Sequence, residues 1–174
     1  MPRSAAGVHS VNPKVKIRFA EIGPAAYDDS AGGKRVALTL ISAGADVVFG
    51  MGDGASFGYL QAISNASAGH KVWYIGDIGD MTPIDRKHVV LSSELWNFTG
   101  AFTQALQDIK SGTYGHHGYN LDLANGGISL LKTSYIPANV WSEIQSAQQK
   151  IISGQLNVPV ATTLPQVKAL VSAG

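Results

Sequence analysis

The sequence predicts an α/β domain, a parallel sheet with helices packed over it. Three observations carry this. Short apolar runs alternate with helical periodicities along the chain. The run at 46–50, "DVVFG", is apolar without alternation, as expected of a strand covered on both faces. Finally, 174 residues with 45% apolar content and a mean hydropathy of +0.07 suit one cored domain, without room for a second full one.

Taken in order, "KVKIRFA" (14–20) reads as the first strand, followed by a loop holding Pro24. Asp29 or Ser30 then caps a helix with Val36, Ala37, Leu40 and Ile41 on one face and Gly44 as its stop. Strand 46–50 leads into a second helix, where Phe57, Leu60 and Ile63 recur at three-residue steps. Runs 71–76 and 88–95 are further strands. The stretch from Asn97 carries Phe98, Phe102, Ala105 and Ile109 on one stripe and stops at Gly112, an amphipathic helix. Residues 113–134 read as short, partly exposed strands joined by a turn at Asn125-Gly126-Gly127. Pro137 opens a helix with Val140, Ile144, Ala147 and Ile151 in line, and a proline-bounded linker leads to a tail helix with Val167, Leu170 and Val171.

Composition narrows the chemistry. A net charge of +1 provides no basic field to gather nucleic acid. The absence of cysteine removes disulfides, thiolate zinc sites and cysteine nucleophiles. The N-terminal stretch lacks the apolar core of a signal peptide. No Gly-x-Ser-x-Gly elbow occurs, and Ser92 and Ser93 have no assignable His or Asp partner. His116 and His117 are adjacent, so on a strand they face opposite ways and read as an exposed pair.

Two glycine-rich turns stand out, "GMGDGASFG" (50–58) and "GDIGDMTPID" (76–85). Both fall at carboxyl ends of strands, where ligands gather in open parallel sheets and helix N-termini present free N–H groups. In the first, Gly50, Gly52, Gly54 and Gly58 permit close approach, Ser56 can cap the helix, Phe57 offers an aromatic face and Asp53 a free acceptor. In the second, Asp77, Asp80 and Asp85 crowd one loop, a poor phosphate cradle. The spacing alone leaves three readings open: a dinucleotide fingerprint, a divalent-cation site from Asp53, Asp77 and Asp80, or ordinary turn formers. Trp96, between a strand end and a helix start, is either core or a stacking surface for a planar ligand.

Together "GVHSVNP", "GADVVFGMGDGASFG", "VWYIGDIGD", "VVLSSELWNF" and "LANGGISLLKTSYIPANVW" resemble the basic membrane protein family, substrate-binding proteins of ABC importers whose characterised members take up purine nucleosides. The likeness runs from about residue 5 to about 159. It implies a type I periplasmic-binding-protein fold, here incomplete, in which two α/β lobes close on a solute. Residues 1–87 would be the second lobe without its first strand, with "RSAAGVHSVNP" as the tail of that lobe's first helix. Residues 88–174 would be a crossover strand and the C-terminal part of the first lobe. Family members also carry an export signal and a lipid-anchor cysteine, implying an extracytoplasmic, membrane-anchored receptor, although this chain as written would stay in the cytoplasm.

Carried over by position, the resemblance implies a ligand site of Gly52, Asp53, Gly54, Ser56, Phe57, Asp77, Asp80, Trp96 and Asn97, with no catalytic residue, metal or cofactor. The expected partners are a purine, a nucleoside or a similar planar polar solute, an ABC permease, and further copies of the chain through the exposed lobe interface. Two departures weaken the case for a nucleoside. Ile78 stands where nucleoside binders carry an acid, and Trp96 where they carry a lysine, so polar partners for ribose are lost. The alternatives are a metal- or nucleotide-dependent enzyme using Asp53, Asp77 and Asp80, and a cytoplasmic ligand sensor.

Overall fold

The computed structural model describes residues 2–23, 27–67 and 69–172. Pro24 lies outside the described residues. In chain order the elements are α1 (Pro2–Val11), α2 (Ser30–Ser42), β1 (Val47–Phe49), α3 (Gly54–Ala66), β2 (Trp73–Gly76), β3 (Val90–Trp96), α4 (Thr99–Ser111), β4 (Ile128–Leu130), α5 (Ala138–Ile152) and α6 (Leu164–Ser172). Two compact units emerge: the described residues of Ile22–Trp141, and those of Met1–Glu21 together with Ser142–Gly174. In the smaller unit α1 packs on α6, burying Ala5.

The larger unit is an open, mostly parallel sheet in the order β1-β2-β3-β4. Val47–Phe49 pair in parallel with Trp73–Ile75, and Tyr74 to Gly76 pair in parallel with Val90 to Ser93. β3 then changes partner, because Glu94, Leu95 and Trp96 pair antiparallel with Leu130, Ser129 and Ile128. One continuous strand therefore belongs to the parallel sheet at its start and to an antiparallel ribbon at its end.

The helices over this sheet follow local rules. Asp29 caps α2 by accepting a hydrogen bond from the Gly32 N–H at 2.7 Å. α2 and α3 lie backbone to backbone because Gly58 has no side chain. A Cβ there would overlap the Ser30 carbonyl oxygen and come within 2.7 Å of the Lys34 nitrogen. Ala37, Ile41, Tyr59, Leu60, Ala62 and Ile63 from these helices meet Val48, Val72, Tyr74, Val89 and Val90 to form the core.

Several expectations fail for physical reasons. Residues 14–20 form no strand, because among the described residues no strand pairs with them and Val15 stands 39% exposed. β1 is an edge strand, so only Val48 is buried and Val47 faces outward. The expected α3 stripe is rotated: Leu60 and Ile63 point inward while Phe57 points out. In 113–134 the single strand is β4, whose partner is β3 rather than a hairpin mate. The turn before it is instead held by Asn125. Its Oδ1 accepts from the Asp122 and Gly127 N–H groups, and its Nδ2 donates to the Asn120 carbonyl.

Candidate functional site

The two glycine-rich turns meet. The Gly52 N–H donates to Asp77 Oδ1 at 3.2 Å, tying the loop after β1 to the loop after β2. Gly52 reaches this position at φ +142°, a left-handed conformation that favours glycine. A second tie comes from β3: the Trp96 indole Nε1–H donates to the Asp77 carbonyl at 2.8 Å. A third runs from the Gly79 N–H to the Glu94 carbonyl at 3.0 Å. The carboxyl ends of β1, β2 and β3 thus form one connected rim.

The site residues differ in what they offer. Phe57 and Trp96 are about half exposed, at 54% and 49%. Trp96 lies nearly parallel to Phe98, with ring centroids 5.9 Å apart at 27°. Asp53 is exposed at the N-cap position of α3 without a side-chain cap bond, leaving its carboxylate available. Asp77 is only 8% exposed. Burial pushes its carboxyl above the usual range, the Gly52 N–H opposes that rise, and the charge of Asp53 adds to it. Ser56 does not cap the helix as expected. It is fully buried, and its hydroxyl donates to the Gly52 carbonyl, bracing the loop from below. Gly54 approaches the Asp28 backbone so closely that a Cβ would fall 2.7 Å from its carbonyl oxygen.

Asp80 lies on the outer side of its turn, where its carboxylate accepts from the Thr82 N–H and hydroxyl at 2.9 and 2.6 Å. Asn97 accepts from the Thr99 N–H and lines a separate groove of about 450 Å³ between the first half of α4 and residues 117–127. Among the described residues no three His, Asp or Glu side chains are arranged to hold a metal ion, so the Asp53, Asp77 and Asp80 trio does not form a coordination sphere.

Sequence reasoning missed two acids. Glu94 sits on β3 beside Asp77, and burial followed by the charge of Asp77 raises its carboxyl. Asp108, on α4, is 5% exposed and gathers Tyr119 Oη at 2.6 Å, Gln104 Nε2 at 2.9 Å and His117 Nε2 at 3.2 Å. His117 is therefore not simply one of an exposed pair. Its ring is oriented by a buried carboxylate, and the four-residue Gln104–Asp108 spacing was the available signal.

An open, mostly parallel α/β sheet whose strand ends are tied into one rim is an architecture of the periplasmic-binding-protein type. The chain belongs to the family described as Bmp, ABC transporter substrate-binding protein PnrA-like, whose model matches residues 3–162. Among curated relatives, the "CD4+ T-cell-stimulating antigen" of Listeria monocytogenes serovar 1/2a (strain ATCC BAA-679 / EGD-e) is 29% identical over 169 residues, covering 88% of this chain and 46% of that protein. The protein of the same name in Listeria innocua serovar 6a gives the same figures, so the chain spans about half the length of these curated relatives.

Solved structures agree on the fold. An ABC transporter solute-binding protein from Aeropyrum pernix K1 superposes with TM-score 0.74 at 20% identity, covering 97% of this chain and 58% of that one. A solute-binding protein from Conexibacter woesei DSM 14684 gives 0.66 at 23% identity, covering 88% and 50%. A transcriptional activator of the comK gene from Bacillus halodurans gives 0.64 at 20% identity, covering 77% and 46%.

Proposed function

We propose that this chain supplies one wall of the solute site of an ABC import receptor and captures a planar polar molecule, a free purine or purine nucleoside, for delivery to a membrane permease. It performs no chemistry on that solute. The observation that supports this most directly is the Gly52–Asp77 hydrogen bond, which sets two ligand-type loops edge to edge beside the Trp96 ring. Gly52, Asp53 and Gly54 let a solute approach the backbone, Asp53 and Asp77 accept its N–H or O–H groups, and Phe57 and Trp96 stack on its ring. Ser56 holds the loop from beneath, while Asp80 and Asn97 flank the rim.

Residues 1–87 are read as the second lobe and 88–174 as the crossover and the C-terminal part of the first. The change of partner along β3 is the feature that supports a crossover at this point. The family likeness supports an extracytoplasmic receptor. Among the described residues no helix is long and apolar enough to cross a membrane. The fold alone does not separate import from ligand sensing, because a transcriptional activator shares it. The exposed apolar face of α4 supports a further property, association of the chain with its own copies.

Isothermal titration with adenosine, guanosine, adenine and guanine tests the assignment. Saturable binding that is indifferent to chelator and yields no product is the expected result. Binding that requires a divalent ion and is accompanied by product would replace the receptor with an enzyme, and failure of every solute to bind would remove the receptor reading.

A further inference from the structure

We propose that the groove between the first half of α4 and residues 117–127 is a second binding site, for a neutral monosaccharide. It lies wholly within the larger unit and does not depend on what the rim captures.

The groove has a volume of about 450 Å³, within the range of about 300–1,000 Å³ usual for small-molecule sites. One wall is the start of α4, with Asn97, Gly100 and Gln104; the other carries His117, Tyr119 and Asn120. Both walls are held from behind by one carboxylate. Asp108 is 5% exposed and accepts from Tyr119 Oη at 2.6 Å, Gln104 Nε2 at 2.9 Å and His117 Nε2 at 3.2 Å. The His117 and Tyr119 rings also meet edge to face, with centroids 5.2 Å apart at 67°. Asn125 pins the rest of the second wall through the backbone of Asn120, Asp122 and Gly127. Side chains locked by a buried group beneath them lose little further freedom when a solute arrives.

The locking decides which atoms remain for a guest. A carboxylate only accepts, so Gln104 and His117 turn N–H groups toward Asp108. That leaves Gln104 Oε1 and, in the neutral imidazole, His117 Nδ1 as acceptors. Donors line the same groove. The Gly100 and Ala101 N–H groups precede the first helical hydrogen bond of α4, from Phe102 to Phe98, and among the described residues neither has a partner. Asn97 spends its oxygen on the Thr99 N–H and keeps its Nδ2 amide as a donor. The exposed Asn120 side chain, unpaired among the described residues, offers both kinds of atom.

A hydroxyl answers both sets, because it donates and accepts at once. No Lys, Arg, Asp or Glu lines the groove among the described residues. An anion would face Gln104 Oε1 and His117 Nδ1 with the Asp108 carboxylate behind them, and a cation would face the positive end of the α4 dipole. Tyr119 and Leu121 supply apolar surface for the C–H face of a sugar ring.

Isothermal titration of the full chain with ribose, glucose, galactose and mannose provides the test. At least one should bind saturably, with glucosamine and glucose 6-phosphate at least about tenfold weaker than that sugar. Gly100→Leu puts a side chain where a Cβ meets nothing within 4 Å, so it should abolish sugar binding with Tm unchanged or raised. Asn120→Ala should weaken sugar binding at least about fivefold at unchanged Tm. Failure of every sugar to bind, equal binding of either charged relative, or sugar binding retained in Gly100→Leu overturns the inference. Displacement of the sugar by adenine also overturns it, because the groove would then belong to the rim's site. If a sugar binds and no purine or nucleoside does, the receptor reading falls and the groove stands. If purines bind and no sugar does, the reverse holds.

Discussion

Helices α3 and α4 are both thirteen residues long, both follow a strand end, and both show an apolar stripe in sequence. Their fates are opposite. α3 buries Ala55, Ser56, Gly58, Tyr59, Leu60, Ala62 and Ile63, whereas the buried residue of α4 is a carboxylate, Asp108. Phe102, Leu106 and Ile109 stand 66%, 60% and 57% exposed. Periodicity shows that a helix has an apolar face; it does not show what covers that face. Each large side chain left outside forgoes about 1.5–3 kcal/mol of burial free energy. An isolated helix of this length is marginal in water, so α4 depends on its caps and on the Asp108 network.

The largest expected effect breaks the α3 side of the comparison. Gly58→Ala drives a methyl into the Ser30 carbonyl and the Lys34 nitrogen, and neither backbone atom can turn aside. A loss of about 3 kcal/mol or more is expected, read as a lower midpoint in urea unfolding. Unchanged stability would show that α2 and α3 are farther apart in solution.

Next comes the anchor of α4. Asp108 titrates below the usual carboxylate range, chiefly because the Tyr119 hydroxyl donates to it, with Gln104 and His117 adding. The same bond pushes the Tyr119 hydroxyl up to about 12. A depressed carboxyl stabilises the fold fully above its unfolded value of about 3.9 and ceases to do so as pH falls through the lower folded value. Asp108→Asn should therefore lower Tm at neutral pH and flatten its acid limb below about pH 4. An acid limb identical to that of the wild type would place the carboxylate outside the network.

The uncovered face supplies the third test. Phe102→Ser removes a ring that is two-thirds exposed, so its stability should change by no more than about 0.5 kcal/mol. Its effect belongs to association: light scattering should show a smaller mean mass than for the wild type at the same concentration. Equal masses would mean that α4 is not the contact surface.

What was legible in the sequence divides along the same line. The Asp29 cap, the Gly112 stop in its left-handed conformation and the helix starts are local events, decided within a turn of chain. The strand expected at 14–20 and the hairpin expected at 113–134 required partners elsewhere, and periodicity carries no information about partners. The site was partly legible for the same reason. Glycine-rich strand ends announced the rim, and the fold brought Gly52 and Asp77 together. Glu94 was missed because an acid on a strand reads as an outward-facing polar residue. The buried roles of Tyr74, Ser93 and Ser56 arise only from how β2, β3 and α3 are stacked.

The smallest expected effect uses the same glycine-to-alanine change at the other helix. Gly100 lies in the first turn of α4, and a Cβ there meets nothing within 4 Å. Alanine at this position lowers the backbone entropy of the unfolded chain and favours the helix, a gain of about 0.5 kcal/mol. For a chain of this size that corresponds to about 1–2 °C in Tm. The same substitution thus has opposite signs at Gly58 and Gly100, because one position is walled by backbone and the other opens on the groove beside Asn97. A Tm for Gly100→Ala that rises in dilute solution and falls as concentration increases would show a second copy seated against the start of α4, where the added methyl obstructs it.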